Sequence, residues 1–510
     1  MHKCIMRWSV RGSVIKQKIN TTNTCQEFDS LRAALVKLEA SKVKLIVVIG
    51  EHGQIVRTVS DGDIRRALIS GMSLDDSVSK LPTRNPVVCQ EDSDESEVVA
   101  AMNNNSVNTI IQVDSKDLPV FLINKKDLEG SILLSSPHLG ESETNYVQDA
   151  IDSNWIAPIG PYLNRFEQDL SAICDRSHAI AVASGTAGLH LAIRALMIKQ
   201  DKRIYVSDLT FIGSVQPILI EKHEPVFIDC EPGTWNMSTK ALERQLKLDK
   251  DRNRLPGAII VVHLYGQPAN ILEICKIANA YDVPIIEDAA ESLGATVNGE
   301  ASGCHGLISV YSFNGNKIIT TSSGGAVVTN CPKIASKIRY LATQGRDNCL
   351  HYQHSSIAYN YRMSNVLAAL GVGQLEVLKD RVKARRNIFS RYVQSLTRVP
   401  GISFQQEVPD TLGNRWITAI EIEPRSENLH PFAIMKILKS EGIDARPGWK
   451  PMHMQPICYG YDYIPHDEQT SYSERHFMRS ICLPSGSNMP SRSQDRVISA
   501  ILQILTKETN

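Results

Sequence analysis

The sequence predicts an α/β protein in which a large, mostly parallel sheet flanked by helices follows a smaller repeated unit. Three observations carry this. Short, near-continuously apolar segments (AIAVAS, RIYVSD, PVFIDC, GAIIVVHLYG, PIIEDAA) alternate with amphipathic helical ones (TAGLHLAIRALM, TFIGSVQPILIEK, ILEICKIANAYD), the pattern of strands covered on both faces. Polar, chemistry-bearing residues come directly after those strands, where ligands of such sheets collect. Before them, the first 135 residues repeat one order of elements, helix–strand–strand–helix, at roughly 60 residues, a period that marks an internal duplication.

Composition bounds the rest. A chain of 510 residues holds more than one domain. Lys plus Arg and Asp plus Glu are both 55, so charge gives no reason to expect nucleic acid or an anionic membrane as partner. The 11 cysteines include no CxxC pair and no Cys/His cluster at zinc spacing, so no metal is expected and a reducing compartment fits. No apolar run approaches the roughly 18 residues of a membrane span, and MHKCIMRWSVRGS lacks the apolar core of a signal peptide. The expected location is the cytoplasm.

In the first repeat, SLRAALVKLEASK is helical, KLIVVIG is a buried strand, and GQIVRTVSDGDIRRALISG turns from strand to helix at Ser60–Asp63. The second runs DESEVVAAMNNNSVN, TIIQV, PVFLINKKDLEG. This resembles a tandem CBS (Bateman) module. The resemblance implies adenine-nucleotide contacts by S/T-x-x-D, which Ser60 and Asp63 match, whereas Asn124 stands where the second copy needs Ser or Thr before Asp127. Plain helix capping by Ser60 and Asp63 is the competing reading. Polar SSPHLGESETN, Ser135–Asn145, reads as a linker. The expected domains are 1–135, a linker 136–145, a large domain 146–385 and a small C-terminal domain 386–510.

The large domain is organised around SVYSFNGNKIITTSSGGAVVTN, Ser309–Asn330, in which a strand, Lys317 and a Gly-flanked turn precede a second strand. Burial would disfavour the ammonium of such a lysine, and a partly neutral amine attacks carbonyls. A structural or solvated lysine is the competing reading; with the motifs that follow, Lys317 is the candidate to hold pyridoxal 5′-phosphate (PLP) as a Schiff base. In ASGTAGL a strand ends in a tight turn at Gly185 and Thr186 before a helix whose N–H groups can take a phosphate, although an ordinary N-cap reads the same way. SDLTFIGS offers Phe211 to stack on an aromatic ring. In IIEDAAESLGA, Asp288 ends an apolar strand and Glu291 follows; a buried carboxylate needs a cationic partner, such as the protonated ring nitrogen of PLP. Ser312, five residues before Lys317, stands where a second phosphate contact could sit.

Five ordered motifs, SGT between strand and helix, LTF, EDAAES, SF-x-x-x-K and the GG-A-V that follows it, resemble the DegT/StrS family of sugar aminotransferases, fold-type I PLP enzymes acting on nucleotide-linked ketosugars. The resemblance runs from about Asn145 to the C-terminus. It implies Lys317 as Schiff-base lysine and general acid/base, Asp288 on the ring nitrogen, Glu291 near the phenolic oxygen, Phe211 on the ring, and Gly185, Thr186 and Ser312 on the phosphate. It also implies a homodimer in which Asn360, from NYRMSN, reaches the partner's phosphate. RPGWKPMHMQP would carry substrate contacts through Lys450 and His453. NWIAPIGPY, TWNM, EDAAESLG and WKPMHMQP look most like UDP-sugar C4 aminotransferases. The implied reaction takes nitrogen from L-glutamate to the 4-keto carbon of a UDP-linked deoxyhexose bearing an N-acetyl group, toward a surface glycan. A PLP sugar dehydratase would carry histidine in place of Lys317. A non-catalytic nucleotide sensor would have lost a site residue.

Overall fold

The computed structural model describes residues 17–41, 44–82, 86–91, 93, 95–105, 107–125, 131–424 and 429–506. The chain divides after Ser131 into two compact units.

The N-terminal unit repeats one design twice. A short strand, Thr24–Gln26, pairs in parallel with Leu45–Ile49, which turns back antiparallel onto Ile55–Ser60. In the second copy Val88–Gln90 pairs in parallel with Thr109–Val113, which turns back onto Pro119–Asn124. The register slips at equivalent places, Val48/Ile49 and Gln112/Val113, because each hairpin carries an extra residue near its turn. Val47 of one sheet packs with Ile111, Val113 and Leu122 of the other. Asp127 lies outside the described residues.

The C-terminal unit is built on eight strands: β1 (His178–Val182), β2 (Ile204–Ser207), β3 (Pro225–Ile228), β4 (Ala258–Val262), β5 (Ile285–Asp288), β6 (Ile308–Ser312), β7 (Gly325–Thr329) and β8 (Tyr463–Ile464). Their order is β8-β3-β2-β4-β5-β6-β7-β1. Only β7 runs against its neighbours; the remaining pairings, from β8 across to β6, are parallel. Both faces are apolar and covered, by a core around Ile193, Val206, Ile260 and Val310 and by others around Phe166 and Tyr311 and around Leu242 and Ile274. That burial is why these strands read as continuous apolar runs rather than alternating ones. A second, antiparallel sheet joins Ile402–Phe404, Thr418–Ile422, Ser480–Leu483 and Arg446–Pro447.

Two expected boundaries fall elsewhere. Ile132 belongs to the C-terminal unit: it bridges Ile443 and packs into the core of the small sheet. The segment expected to be a linker is bonded along its length. Ser136 donates to Asn488, His138 accepts or donates at Ser487, and a helix begins at Glu141. Polar residues in an extended, non-periodic stretch look like a linker when their partners are hundreds of residues away. The expected division at 385/386 also falls inside one continuous helix, α2 (Leu378–Leu396). Among the described residues, no helix is long and apolar enough to cross a membrane.

Candidate active site

The carboxyl ends of β1, β2, β5 and β6 converge on a cavity of about 310 Å³. Lys317 follows β6, which its loop leaves at Ser312. Its Nζ stands 3.6 Å from Glu291 Oε1 and 3.9 Å from the centre of the Trp416 ring. Burial lowers the Lys317 pKa, and Glu291 and Asp288 oppose that fall. Burial in turn raises the pKa values of Asp288 and Glu291. Two carboxylates and one lysine thus share a space that favours the neutral form of each.

Strand alternation separates the consecutive acids of β5. Glu287 turns away from the cavity to His263 Nε2 at 2.9 Å, and that contact holds its carboxyl low against the pull of burial. Asp288 faces the cavity, accepts from Ser214 Oγ at 2.6 Å and from the Ala290 N–H at 3.1 Å. Glu291 is fixed by the Tyr265 N–H, which donates to its Oε2 at 2.7 Å.

On the opposite wall helix α1 (Gly185–Leu196) begins. Ser184 caps it, accepting from the Ala187 N–H at 3.1 Å, while Gly185 and Thr186 line the cavity. A Cβ on Gly185 would come within 3.0 Å of Ser312 Cβ, so glycine is what lets β6 approach the helix start this closely. Phe211 is 54% exposed and packs against Trp449, ring centres 5.6 Å apart. A protonated ring nitrogen for Asp288, a phosphate for the start of α1, and an aldehyde for Lys317 match this donor set, and PLP carries all three groups. The cavity fits it.

A family model described as the DegT/DnrJ/EryC1/StrS aminotransferase family matches residues 137–502. The chain belongs to that family. It is a PLP-dependent sugar aminotransferase with the α/β fold of its relatives. EpsN of Bacillus subtilis (strain 168), provisionally named a pyridoxal phosphate-dependent aminotransferase, is 48% identical over 373 residues, 73% of this chain and 95% of that protein. The GDP-perosamine synthase of Vibrio cholerae is 34% identical, covering 68% of this chain and 92% of its own. A crystal structure of a DegT DnrJ EryC1 StrS aminotransferase from Brucella abortus superposes with TM-score 0.67 at 26% identity, over 72% of this chain and 95% of that one.

Within this aminotransferase, Gly185, Thr186, Phe211, Asp288, Glu291, Ser312 and Lys317 all line one cavity. Asn360 does not: it is exposed, and its backbone bridges Thr343. Lys450 lines an adjoining cavity of about 950 Å³. His453 lines neither. Its Nδ1 is 2.7 Å from Asp208 and its Nε2 3.1 Å from Glu474, and its ring stacks on Tyr463. Although burial works against the proton, these carboxylates hold its pKa above the ordinary value. Arg362 is engaged by Glu167 at 2.6 Å. Ser60 and Asp63 close a capping box on each other. Sequence reasoning missed Trp416, Ser214, Asn316 and Trp449; the last three lay inside quoted motifs, and Trp416 had no local signal. Glu300, Cys304 and His305 form the one metal-like donor group among the described residues.

Proposed function

We propose that this enzyme transfers an amino group from L-glutamate to the 4-keto carbon of a UDP-linked 4-keto-6-deoxyhexose, N-acetylated on the sugar, giving a 4-amino sugar for a surface glycan. One observation carries the reading. The cavity holding Lys317 opens directly into the larger one, and Thr210, Phe211, Asn316, Trp416 and Trp449 belong to both. Lys450 adds a cation there, and Arg446, paired with Asp444 at 2.7 Å, adds a second that a diphosphate would draw from that carboxylate, beside an aromatic wall that includes Tyr265 and Phe477. A sugar ring at the shared wall would present its carbonyl toward Lys317, with a diphosphate left for the two cations.

In this reading PLP, when bound, supplies the group that accepts the amine and an electron sink for the proton loss. Lys317 moves the proton, aided by a pKa that burial has lowered toward the working range. Asp288, held by Ser214 and Ala290, would take the ring nitrogen. Glu291 would stand toward the phenolic oxygen, Phe211 would cover the ring, and Gly185, Thr186 and Ser312 would hold the phosphate. Asn360, exposed on its own chain, serves the phosphate of a second copy in a homodimer. Lys317 itself weighs against a dehydratase.

The GDP-linked sugar is the second reading, favoured by GDP-perosamine synthases from three organisms at 34% identity. Incubation of purified enzyme and PLP with glutamate and either UDP- or GDP-linked 4-keto sugar separates them. Amination of the UDP sugar at least tenfold faster in kcat/KM supports the first reading; the reverse ratio replaces it with the second. We also read the N-terminal unit as a CBS pair that regulates the enzyme through an adenine nucleotide. Unchanged activity and unchanged oligomeric state across physiological ATP, ADP and AMP concentrations would remove that role.

A further inference from the structure

We propose that Arg385 is the positioning residue for Lys317, acting through Trp416 and Ser135 on the peptide that precedes the lysine. The inference rests on the assignment of Lys317 above.

Arg385 projects from α2 and is 1% exposed. Among the described residues it has no carboxylate within ion-pair reach, and its Nε has no partner at all. A buried cation left without a counter-charge is costly, so something else must hold it there. Burial, with Arg381 adding to it, lowers its pKa to about 9, and the guanidinium remains charged at neutral pH. Its two terminal nitrogens donate to the Trp416 carbonyl and to Ser135 Oγ, the latter at 2.8 Å.

Those acceptors share a second property. Ser135 Oγ donates to the Asn316 carbonyl at 2.6 Å, and Trp416 Nε1 donates to the same oxygen at 2.6 Å. Two donors from distant parts of the chain therefore converge on the carbonyl immediately before Lys317. A hydroxyl has one proton to give. Because Arg385 occupies a lone pair of Ser135, that proton is directed to Asn316, and the two bonds strengthen each other. The indole that donates its N–H also lays its ring 3.9 Å from Lys317 Nζ. The Asn414 side chain accepts from the Trp416 backbone N–H at 2.8 Å and donates to the Glu291 backbone carbonyl at 2.9 Å, so the main chain at Trp416 is tied to the main chain at Glu291. An arginine with only a structural role would tie α2 to its neighbours. This one ties it to both donors that locate the lysine. Proton transfer falls steeply when the transferring group is misplaced by a fraction of an ångström.

The test uses the full-length protein loaded with PLP, in Arg385→Met, Ser135→Ala and Trp416→Phe variants and the Arg385→Met/Ser135→Ala pair. With glutamate as donor, Arg385→Met is expected to lower kcat about tenfold while the KM for glutamate stays within about twofold. The kinetic isotope effect with 2-deuterated glutamate should rise as proton transfer becomes limiting. The double variant should fall no more than about twofold below the worse single one, since both act on one bond. In cofactor-free protein, reductive methylation of Lys317, read by peptide mass spectrometry, should change about threefold or more relative to surface lysines. Unchanged kcat and isotope effect in a folded, loaded Arg385→Met overturns the proposal, as do fully additive losses. If Arg385→Met fails to fold, Ser135→Ala and Trp416→Phe carry the same test, Ser135 being only half-buried. Should Lys317→Ala retain transamination, the underlying assignment fails instead; if that variant is dead and Arg385→Met normal, this inference alone is lost.

Discussion

Two strand-to-helix turns, one in each unit, start from the same local device and end differently. At Ser60 the hydroxyl donates to Asp63 Oδ2 at 2.7 Å, the Ser60 N–H reaches that oxygen at 2.9 Å, and the other oxygen pairs with Arg66 at 2.6 Å. Ser60, Asp63 and Arg66 thus bond one another across the turn. At Ser184 the hydroxyl caps the helix in the same way, but the third helical residue is Ala187, and no acid folds back. The first N–H groups of a helix lack intrahelical partners. Here those of Gly185 and Thr186 stand beside a cavity lined by Lys317 and Asp288. A capped turn becomes a binding site when the surrounding fold leaves it unanswered groups and space; the local sequence alone decides neither.

Lys317→Ala should cost about a thousandfold or more in transamination rate, measured with glutamate in excess, because it removes the proton carrier. Asp288→Asn should cost about a hundredfold, with folding intact by circular dichroism, since the ring nitrogen loses its anionic partner. The buried lysine also predicts a pH effect in cofactor-free protein. Its pKa is lower folded than unfolded, so between those values the unfolded chain binds more protons and stability rises with pH. Denaturant titrations should show that rise in wild type and its loss in Lys317→Met. Ser60→Ala should have the smallest effect, about 1 kcal/mol of N-terminal unit stability, with the transamination rate unaltered. A large loss of basal activity there would mean that the two turns are not functionally separate.

Much of this was legible because it is local. Apolar strands, the acids ending β5, the small residues before α1 and the lysine after β6 all sit within a few residues of a strand end. What escaped was non-local. Trp416 meets Asn316, the residue before Lys317, across 100 positions, and Arg385 meets Ser135 across 250. His453 reads as a substrate contact from its motif, yet it serves Asp208 and Glu474, partners fixed by the fold rather than by spacing. The polar run after Ser135 looks like a tether for the same reason: its partners, Asn488 and Arg381 among them, are remote.

Leu133, Leu134 and Ser135 line the larger cavity, and Ser135 holds the carbonyl next to Lys317. The N-terminal unit ends at Ser131. Ile132 bonds Gly442 and Asp444 through its backbone, and the Leu134 carbonyl accepts from the Ser485 N–H, so the first residues of the C-terminal unit are clamped where they pass the cavity. The peptide before Lys317 thus leans on a buttress built from the opening residues of its own unit, and a substitution there reaches the lysine without touching a catalytic side chain.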